Sequence, residues 1–426
     1  MNILLIGGGG REHALAWKLL QSKHMSKLYC APGNAGIAGL CECVPIKATD
    51  LDGIVDFAKT RVIDFAVVAP DDPLAMGCVD RLEAVGVLAF GPTAAAAEIE
   101  GSKIFAKTLA QKYNIPTAAW RSFDNPDAAR AYIRARGAPI VVKADGLALG
   151  KGVVVAQTEA QALDAVGDMM ENKTFKEAGA RIVVEDYMTG PEVTVLAFTD
   201  GKTVKPMPSS RDHKPVFDGN KGKNTGGMGA VSPAPGYTPE IADICMETIF
   251  MPTINALAAE GRPFKGVLYF GLMLTPEGPR VVEYNARFGD PEAQAVLTLL
   301  ESDLLDVMMA VREERLDSLD IAWRPEAACC VVMASGGYPD KYSVGLPITG
   351  LPEDTPERVV FHAGTARKDG QLVTAGGRVL GVTARAPTLD AAIARAYSGV
   401  ADITFEGAHF RTDIGVENQS IGTTKL

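Results

Sequence analysis

The run Arg280-Val281-Val282-Glu283-Tyr284-Asn285-Ala286-Arg287 is the part of this chain best suited to chemistry. Alternate residues of a strand share a face, so Val281, Glu283, Asn285 and Arg287 are expected to point one way. A carboxylate, an amide and a guanidinium side by side are costly to bury unless something binds them. Hard oxygen donors suit Mg²⁺ held against nucleotide phosphates, where that ion takes one or two protein ligands. Arg287 would then neutralise charge on a transferring phosphoryl group. The plainer reading of Glu283 and Asn285 is a polar face on an exposed sheet. Asp290-Pro291-Glu292 opens a helix, with Asp290 read as its N-cap.

A second constellation is the loop Lys143–Gly152, which carries Gly146, Gly150 and Gly152 with Lys143 at its base and Lys151 near its tip. It joins two strands and lacks P-loop spacing, but with Lys103 upstream it can fold over a triphosphate. Its bland alternative is a turn. The turn Gly7-Gly8-Gly9-Gly10-Arg11 sits between a strand and a helix, where backbone N–H groups can meet an anion. A dinucleotide fingerprint would need a third glycine where Glu12 or His13 stands, and an acidic residue after the second strand, which ends Cys30-Ala31-Pro32-Gly33. That argues against a nicotinamide dehydrogenase and suits a monophosphate, or a purely structural turn. Glu185-Asp186-Tyr187 and Glu192 can serve a ribose and an adenine edge, or form a solvated strand end. Asp212-His213-Lys214 is substrate-facing or solvated. The other histidines are scattered, and no nucleophile motif is present. A nucleotide-binding regulator would need the lysines but not the Glu283–Arg287 face.

These groups must be positioned by a sizeable fold. The 426 residues correspond to about three domains. Forty-two Lys and Arg against 52 Asp and Glu give 42 − 52 = −10, which excludes a nucleic-acid partner bound through backbone charge. No apolar run approaches the ~18 residues of a membrane span. Seven cysteines without C-x-x-C spacing and an N-terminus without a basic leader lead to the expectation of a cytoplasmic protein. The first hundred residues alternate strands (Asn2–Gly7, Lys27–Ala31, Asp64–Ala69, Val87–Phe90) with helices, which specifies a doubly wound parallel sheet. Helices at Pro126–Arg136 and from Thr158 to about Met170, set against a small sheet, make a compact unit. From Glu192 strands dominate, and the last hundred residues read as a closing domain.

Together these residues resemble the ATP-grasp superfamily, and within it the phosphoribosylamine–glycine ligases. The resemblance rests on Gly8–Ala14, Ala31–Gly36, Gly91–Lys103, Lys143–Gly152, Asn224–Ala230, Glu283–Glu292, Phe361–Thr365 and Gly376–Leu380. It implies an α/β fold that is α+β in its ATP-grasp part. A parallel-sheet domain would span 1–103, a two-lobed ATP-grasp domain 104–325 with a mobile lobe at about 120–190, and a small α+β domain 326–426. It also implies ligation of glycine to 5-phosphoribosylamine with ATP, through a glycyl phosphate, with Mg²⁺ or Mn²⁺ as cofactor. Lys103, Lys143, Gly146, Gly150, Lys151 and Gly152 would hold ATP phosphates, Glu185 and Tyr187 the adenine, and Glu192 the ribose. Glu283 and Asn285 would bind the metal. Arg287, Asp212 and Lys214 would stand at the reacting groups. Gly9, Gly10, Arg11, Asn34, Ala35, Gly36, Asn224, Thr225 and Gly226 would bind substrate. The implied partners are small molecules and transiently touching purine-pathway enzymes, for a monomer. Asp71 departs from the family's usual glutamate.

Overall fold

The computed structural model describes residues 1–147, 152–172 and 174–416. Its first sheet has five parallel strands in the order Glu42–Cys43, Lys27–Pro32, Asn2–Gly7, Phe65–Val68, Leu88–Phe90. Ile3 to Ile6 are inaccessible to solvent, as a central strand covered by helices on both faces requires. The order reverses at Asn2–Gly7, so a crevice opens at the carboxyl ends of the strands. The turn after Gly7, Gly33-Asn34 and Asp71 all lie there.

The second unit carries the antiparallel sheet Trp120–Phe123, Ile182–Asp186, Ile140–Ala144, Val153–Ala156. Helices Pro126–Arg136 and Glu159–Val166 cover it. Asn125 caps the first, accepting from the Ala128 N–H at 3.0 Å, and Thr158 caps the second, accepting from Gln161 N–H at 3.3 Å. The Gln161 side chain accepts from Gln157 N–H, one residue before the cap. Ala129, Ile133, Ile140, Val142, Val166, Ile182 and Val184 form a core confined to this unit.

The third sheet, Val204–Pro206, Glu192–Asp200, Lys265–Thr275, Gly278–Asn285, is antiparallel. Gly271 pairs with Glu283 but Leu272 with Val281, so Val282 is an extra, bulged residue. This corrects the expected alternation. Val281 turns into the core, and the strand ends at Asn285, before Arg287.

The fourth sheet, Arg211–Asp212, Gly229–Ser232, Ala327–Ala334, Arg378–Ala386, Arg358–His362, joins strands from both sides of residue 326, with helix Leu389–Asp402 across it. Fully buried Arg411 ties the end of the described chain to the hairpin Pro215–Phe217/Lys221–Asn224. It donates to Pro215 O at 3.1 Å and Asn220 Oδ1 at 3.0 Å and pairs with Asp413. One described helix, Pro239–Ala259, is long and apolar enough by length and composition to cross a membrane, which the sequence reading missed. Its Cys245, Ile249, Phe250, Ile254 and Leu257 are buried in the core that holds Phe270.

Candidate active site

A cavity of about 860 Å³ lies where these sheets meet. One end is built by the second unit and by helix Lys103–Lys112. Lys103 and Lys107 stand four residues apart on that helix and so share a face. Glu185, on the strand facing them, is fully buried between two ammonium groups. Its Oε1 lies 3.0 Å from Lys143 Nζ and its Oε2 2.9 Å from Lys107 Nζ. Burial opposes the Glu185 charge, but Lys143 and Lys107 hold the carboxyl below its usual range. Burial pushes Lys107 down to about 8 in spite of Glu185. The carbonyl freed by the bulge at Val282 accepts from Lys143 Nζ at 3.0 Å, so the bulge and the lysine fix each other. Lys103 Nζ donates to Gly146 O at 3.2 Å, and burial lowers its pKa. Asp145 accepts from Ser102 Oγ and the Ile104 N–H, each at 3.0 Å, which pins the start of the glycine loop to the start of the helix. Gly152 and half-exposed Tyr187 line this end, and Glu192 reaches Lys214 at 3.4 Å. Gly150 and Lys151 lie outside the described residues.

At the centre, Lys214 Nζ stands 3.1 Å from Glu283 Oε1. Lys214 is the main reason that Glu283 is held down at about 2, against burial. Burial opposes the Lys214 charge, yet Glu283 and Glu192 keep it well above the ordinary range. Buried Glu100 accepts from the Ala286 N–H at 2.7 Å and pairs with Arg287 at 2.8 Å. The Asn285 amide is satisfied with its nitrogen towards Glu100 Oε1 at 3.0 Å. Glu283, Asn285 and Arg287 therefore do share the cavity, with Arg287 aimed by Glu100 rather than by strand alternation. Asp212, Lys214, Tyr269 and Glu292 line it as well.

At the far end, Arg11 pairs with Glu12 at 2.8 Å, and its backbone N–H donates to Asp290 Oδ2 at 3.3 Å. Asp290 does not cap the helix Glu292–Leu299, whose N-cap position is Pro291. Its other oxygen accepts from Gln294 Nε2 at 2.8 Å, and Arg378 donates to its backbone carbonyl at 2.6 Å. Asn224, Thr225, Gly226 and Arg378 line the wall here, as does Asp71, whose charge Arg287 and Arg11 sustain against burial. Gly9, Gly10, Asn34, Ala35 and Gly36 are not among the residues that line the cavity. A side chain on Gly10 would collide with Gln294, 2.4 Å from its Cβ position. The Asn34 amide nitrogen donates to Gly8 O at 2.9 Å and His362 O at 2.8 Å, while its oxygen accepts from the N–H groups of Gly36 and Ile37. These groups shape the turn that presents Arg11. The sequence reading missed Lys107, Glu100, Asp145, Glu292 and Arg378. The four-residue spacing of Lys103 and Lys107 was the one local signal available.

Three family models cover the chain: the phosphoribosylglycinamide synthetase N domain over residues 1–100, its ATP-grasp (A) domain over 101–293 and its C domain over 328–417. The chain belongs to the phosphoribosylglycinamide synthetase family. It is 50% identical to phosphoribosylamine–glycine ligase of Rhizobium meliloti (strain 1021), over 97% of this chain and 98% of that protein. It is also 50% identical to the trifunctional purine biosynthetic protein adenosine-3 of Gallus gallus, over 97% of this chain but 42% of that one. Among solved structures, phosphoribosylamine–glycine ligase of Thermotoga maritima aligns with a TM-score of 0.86 at 31% identity, covering 97% of this chain and 100% of that one. A biotin carboxylase domain of Hydrogenobacter thermophilus shares the fold at 15% identity and a TM-score of 0.73. For a phosphoribosylglycinamide synthetase, the cavity holds all three N-, A- and C-domain regions at one place: Arg11 and Asp71 from the first, Lys143 and Glu283 from the second, Tyr338 and Arg378 from the third.

Proposed function

We propose that this chain joins glycine to 5-phosphoribosylamine, yielding glycinamide ribonucleotide while ATP is cleaved to ADP and phosphate, the second step of de novo purine biosynthesis. One observation carries the reading: a buried lysine cluster faces an acid–amide pair across a single cavity, in a chain half identical to such ligases over nearly its whole length.

A carboxylate is a poor acyl donor until phosphorylated, so the work of the site is to position and neutralise. Lys103 and Lys143 grip the phosphates together with Gly146 and Gly152, and Gly150 and Lys151 are assigned to the same phosphates. Tyr187 flanks the adenine and Glu192 the ribose. Glu185 acts through Lys143 and Lys107, whose ammonium groups it holds. The unit from about 120 to 190, with a core of its own, closes over the nucleotide as a body. Glu283 and Asn285 fit a divalent cation. Both offer hard oxygens, Glu283 keeps its charge down to pH about 2, and Lys214 stands beside it as a resident positive charge. When bound, that cation, Mg²⁺ or Mn²⁺, would supply charge neutralisation to the nucleotide phosphates. Arg287, aimed by Glu100, faces the transferring group, and Asp212 and Lys214 stand by the acid being activated. Arg11 and Asn224–Gly226 receive the phosphoribosyl end. The ribosylamine nitrogen attacks the glycyl phosphate carbonyl, forming the C–N bond as the bond to phosphate oxygen breaks.

ADP release measured with ATP and Mg²⁺, adding glycine and freshly made phosphoribosylamine singly and together, tests this. Turnover is expected only with both. Robust turnover with bicarbonate or another amino acid overturns the assignment.

A further inference from the structure

Three of the seven cysteines meet at one edge of the first sheet. Lys27–Pro32 and Glu42–Cys43 are parallel neighbours, and Cys30 is the register partner of Cys43, so the two side chains share a face. Cys41 and Cys43 pack against the core that holds Cys30 and Ile37. Cys30 is fully buried, whereas Cys41 and Cys43 are half-buried at the rim. Their sulfurs crowd around Gly33 (φ +74°): a Cβ there would collide with Cys43 Sγ and lie 3.6 Å from Cys30 Sγ. The Cys43 sulfur is hydrogen-bonded by Cys30, by Cys41 and by the backbone of Asn34. Cys30 and then Cys41 hold the Cys43 thiol below the ordinary range in spite of burial. Cys43, and after it burial, raises both Cys30 and Cys41. One sulfur of the three is therefore favoured as a thiolate, with two proton-bearing thiols beside it. The other four cysteines are buried, and burial raises each of them.

A disulfide joins Cα atoms roughly 4.4–6.8 Å apart. Neighbouring strands stand about 4.8 Å apart, so Cys30 and Cys43 begin inside that range, whereas two residues along one strand are about 6.6 Å apart, near its limit. We propose that Cys43 is a peroxide-reactive site that closes a reversible disulfide with Cys30. The Cys43 thiolate attacks one oxygen of hydrogen peroxide, the O–O bond breaks, and Cys43 becomes a sulfenic acid as hydroxide leaves. The Cys30 thiol then attacks the Cys43 sulfur; the S–S bond forms, and the sulfenic oxygen leaves as water with the Cys30 proton. The two sulfurs are oxidised by two electrons in all, and peroxide takes both. Closure draws the sulfurs together across Gly33, whose N–H donates to Gly7 O at 3.0 Å, and beside Asn34, which holds Gly8 O. These are the residues of the turn that presents Arg11. The lysine cluster around Glu185 belongs to a different unit and is untouched, so oxidation is read at the phosphoribosyl end alone. That readout rests on the ligase reading above; formation of the bond does not.

The test treats the full, reduced chain with hydrogen peroxide, blocks remaining thiols and maps the cysteines by mass spectrometry. A Cys30–Cys43 linkage that dithiothreitol reverses is expected, with Cys78, Cys245, Cys329 and Cys330 still thiols. In Cys30→Ser, Cys43 should instead be trapped by dimedone as a sulfenic acid, and in Cys43→Ser neither product should form. The oxidised chain should show a KM for phosphoribosylamine raised by about tenfold, the scale of a slightly misplaced binding group, and a KM for ATP within about threefold of the reduced chain. Dithiothreitol should restore the first. Absence of any linkage in the unaltered chain overturns the proposal, as does a bond from Cys43 to Cys41 instead. A Cys30–Cys43 bond that leaves the KM for phosphoribosylamine unchanged overturns the coupling to the turn. The ligase reading fails separately, if the reduced chain does not turn over glycine with phosphoribosylamine, and the mass map stands in either case.

Discussion

The two ends of the cavity solve opposite electrostatic problems. At the nucleotide end, Lys107, Lys143 and Glu185 are packed together from one helix and one sheet, and every charge has a partner. At the floor, Asp212, Lys214, Glu283 and Glu292 come from separate sheets and a helix terminus, and the buried Asp212 Oδ1 has neither a hydrogen-bond donor nor an ion pair. A paired cluster keeps its shape without ligand and holds a grip ready. An unpaired one stores a desolvation cost that only the right ligand removes. The grip is therefore expected to fail as structure, and the floor as catalysis.

The sharpest way to break this contrast is Glu283→Ala combined with Asn285→Ala. Turnover should fall by at least about 10³-fold, the scale of a lost electrostatic stabiliser, with far-UV circular dichroism showing the fold intact. A double variant of ordinary activity removes the metal site from the mechanism. Glu185→Gln should do the reverse. It leaves two buried ammonium groups without a counter-charge and should cost about 3 kcal/mol in denaturant unfolding, with a raised KM for ATP as the lesser effect. Stability equal to that of the unaltered chain would mean that the triad is not holding the lobe.

The smallest effect is in acid. Glu283 has a folded pKa of about 2, below its unfolded value of 4.5. Its contribution is therefore fully present above about pH 4.5 and is lost as pH falls through about 2. The stability difference between the unaltered chain and Glu283→Gln should shrink over that window, and a difference that grows instead would place the Lys214 pairing elsewhere.

Local pattern made most of the fold legible. The strand Asn2–Gly7 and the helix Pro126–Arg136 lie where caps and periodicity place them. Glu283 and Asn285 were legible because polar residues interrupt an apolar strand. What escaped was whatever depends on a distant partner. The bulge at Val282 is fixed by Lys143, 139 residues away, and the aim of Arg287 by Glu100. Asp290 looks like a cap because Asp-Pro usually is one, yet Arg11 and Gln294 claim its oxygens. Asn34 reads as a ligand, but all its hydrogen-bonding capacity goes to holding loops together.

Within its sheet the strand Arg211–Asp212 pairs with Gly229–Ser232, and that strand with Ala327–Ala334, while Ser210 beside it bridges to Thr194. Arg411 then clamps the neighbouring hairpin from close to the chain's end. During synthesis the sheet that carries Asp212 is completed only after Ala327–Ala334 and Arg378–Ala386 have been made, later than the unit that holds Lys143 and Glu185. A nascent chain halted before residue 327 would hold the Lys107–Glu185–Lys143 cluster together and leave the strand Gly229–Ser232 without the neighbour it pairs with.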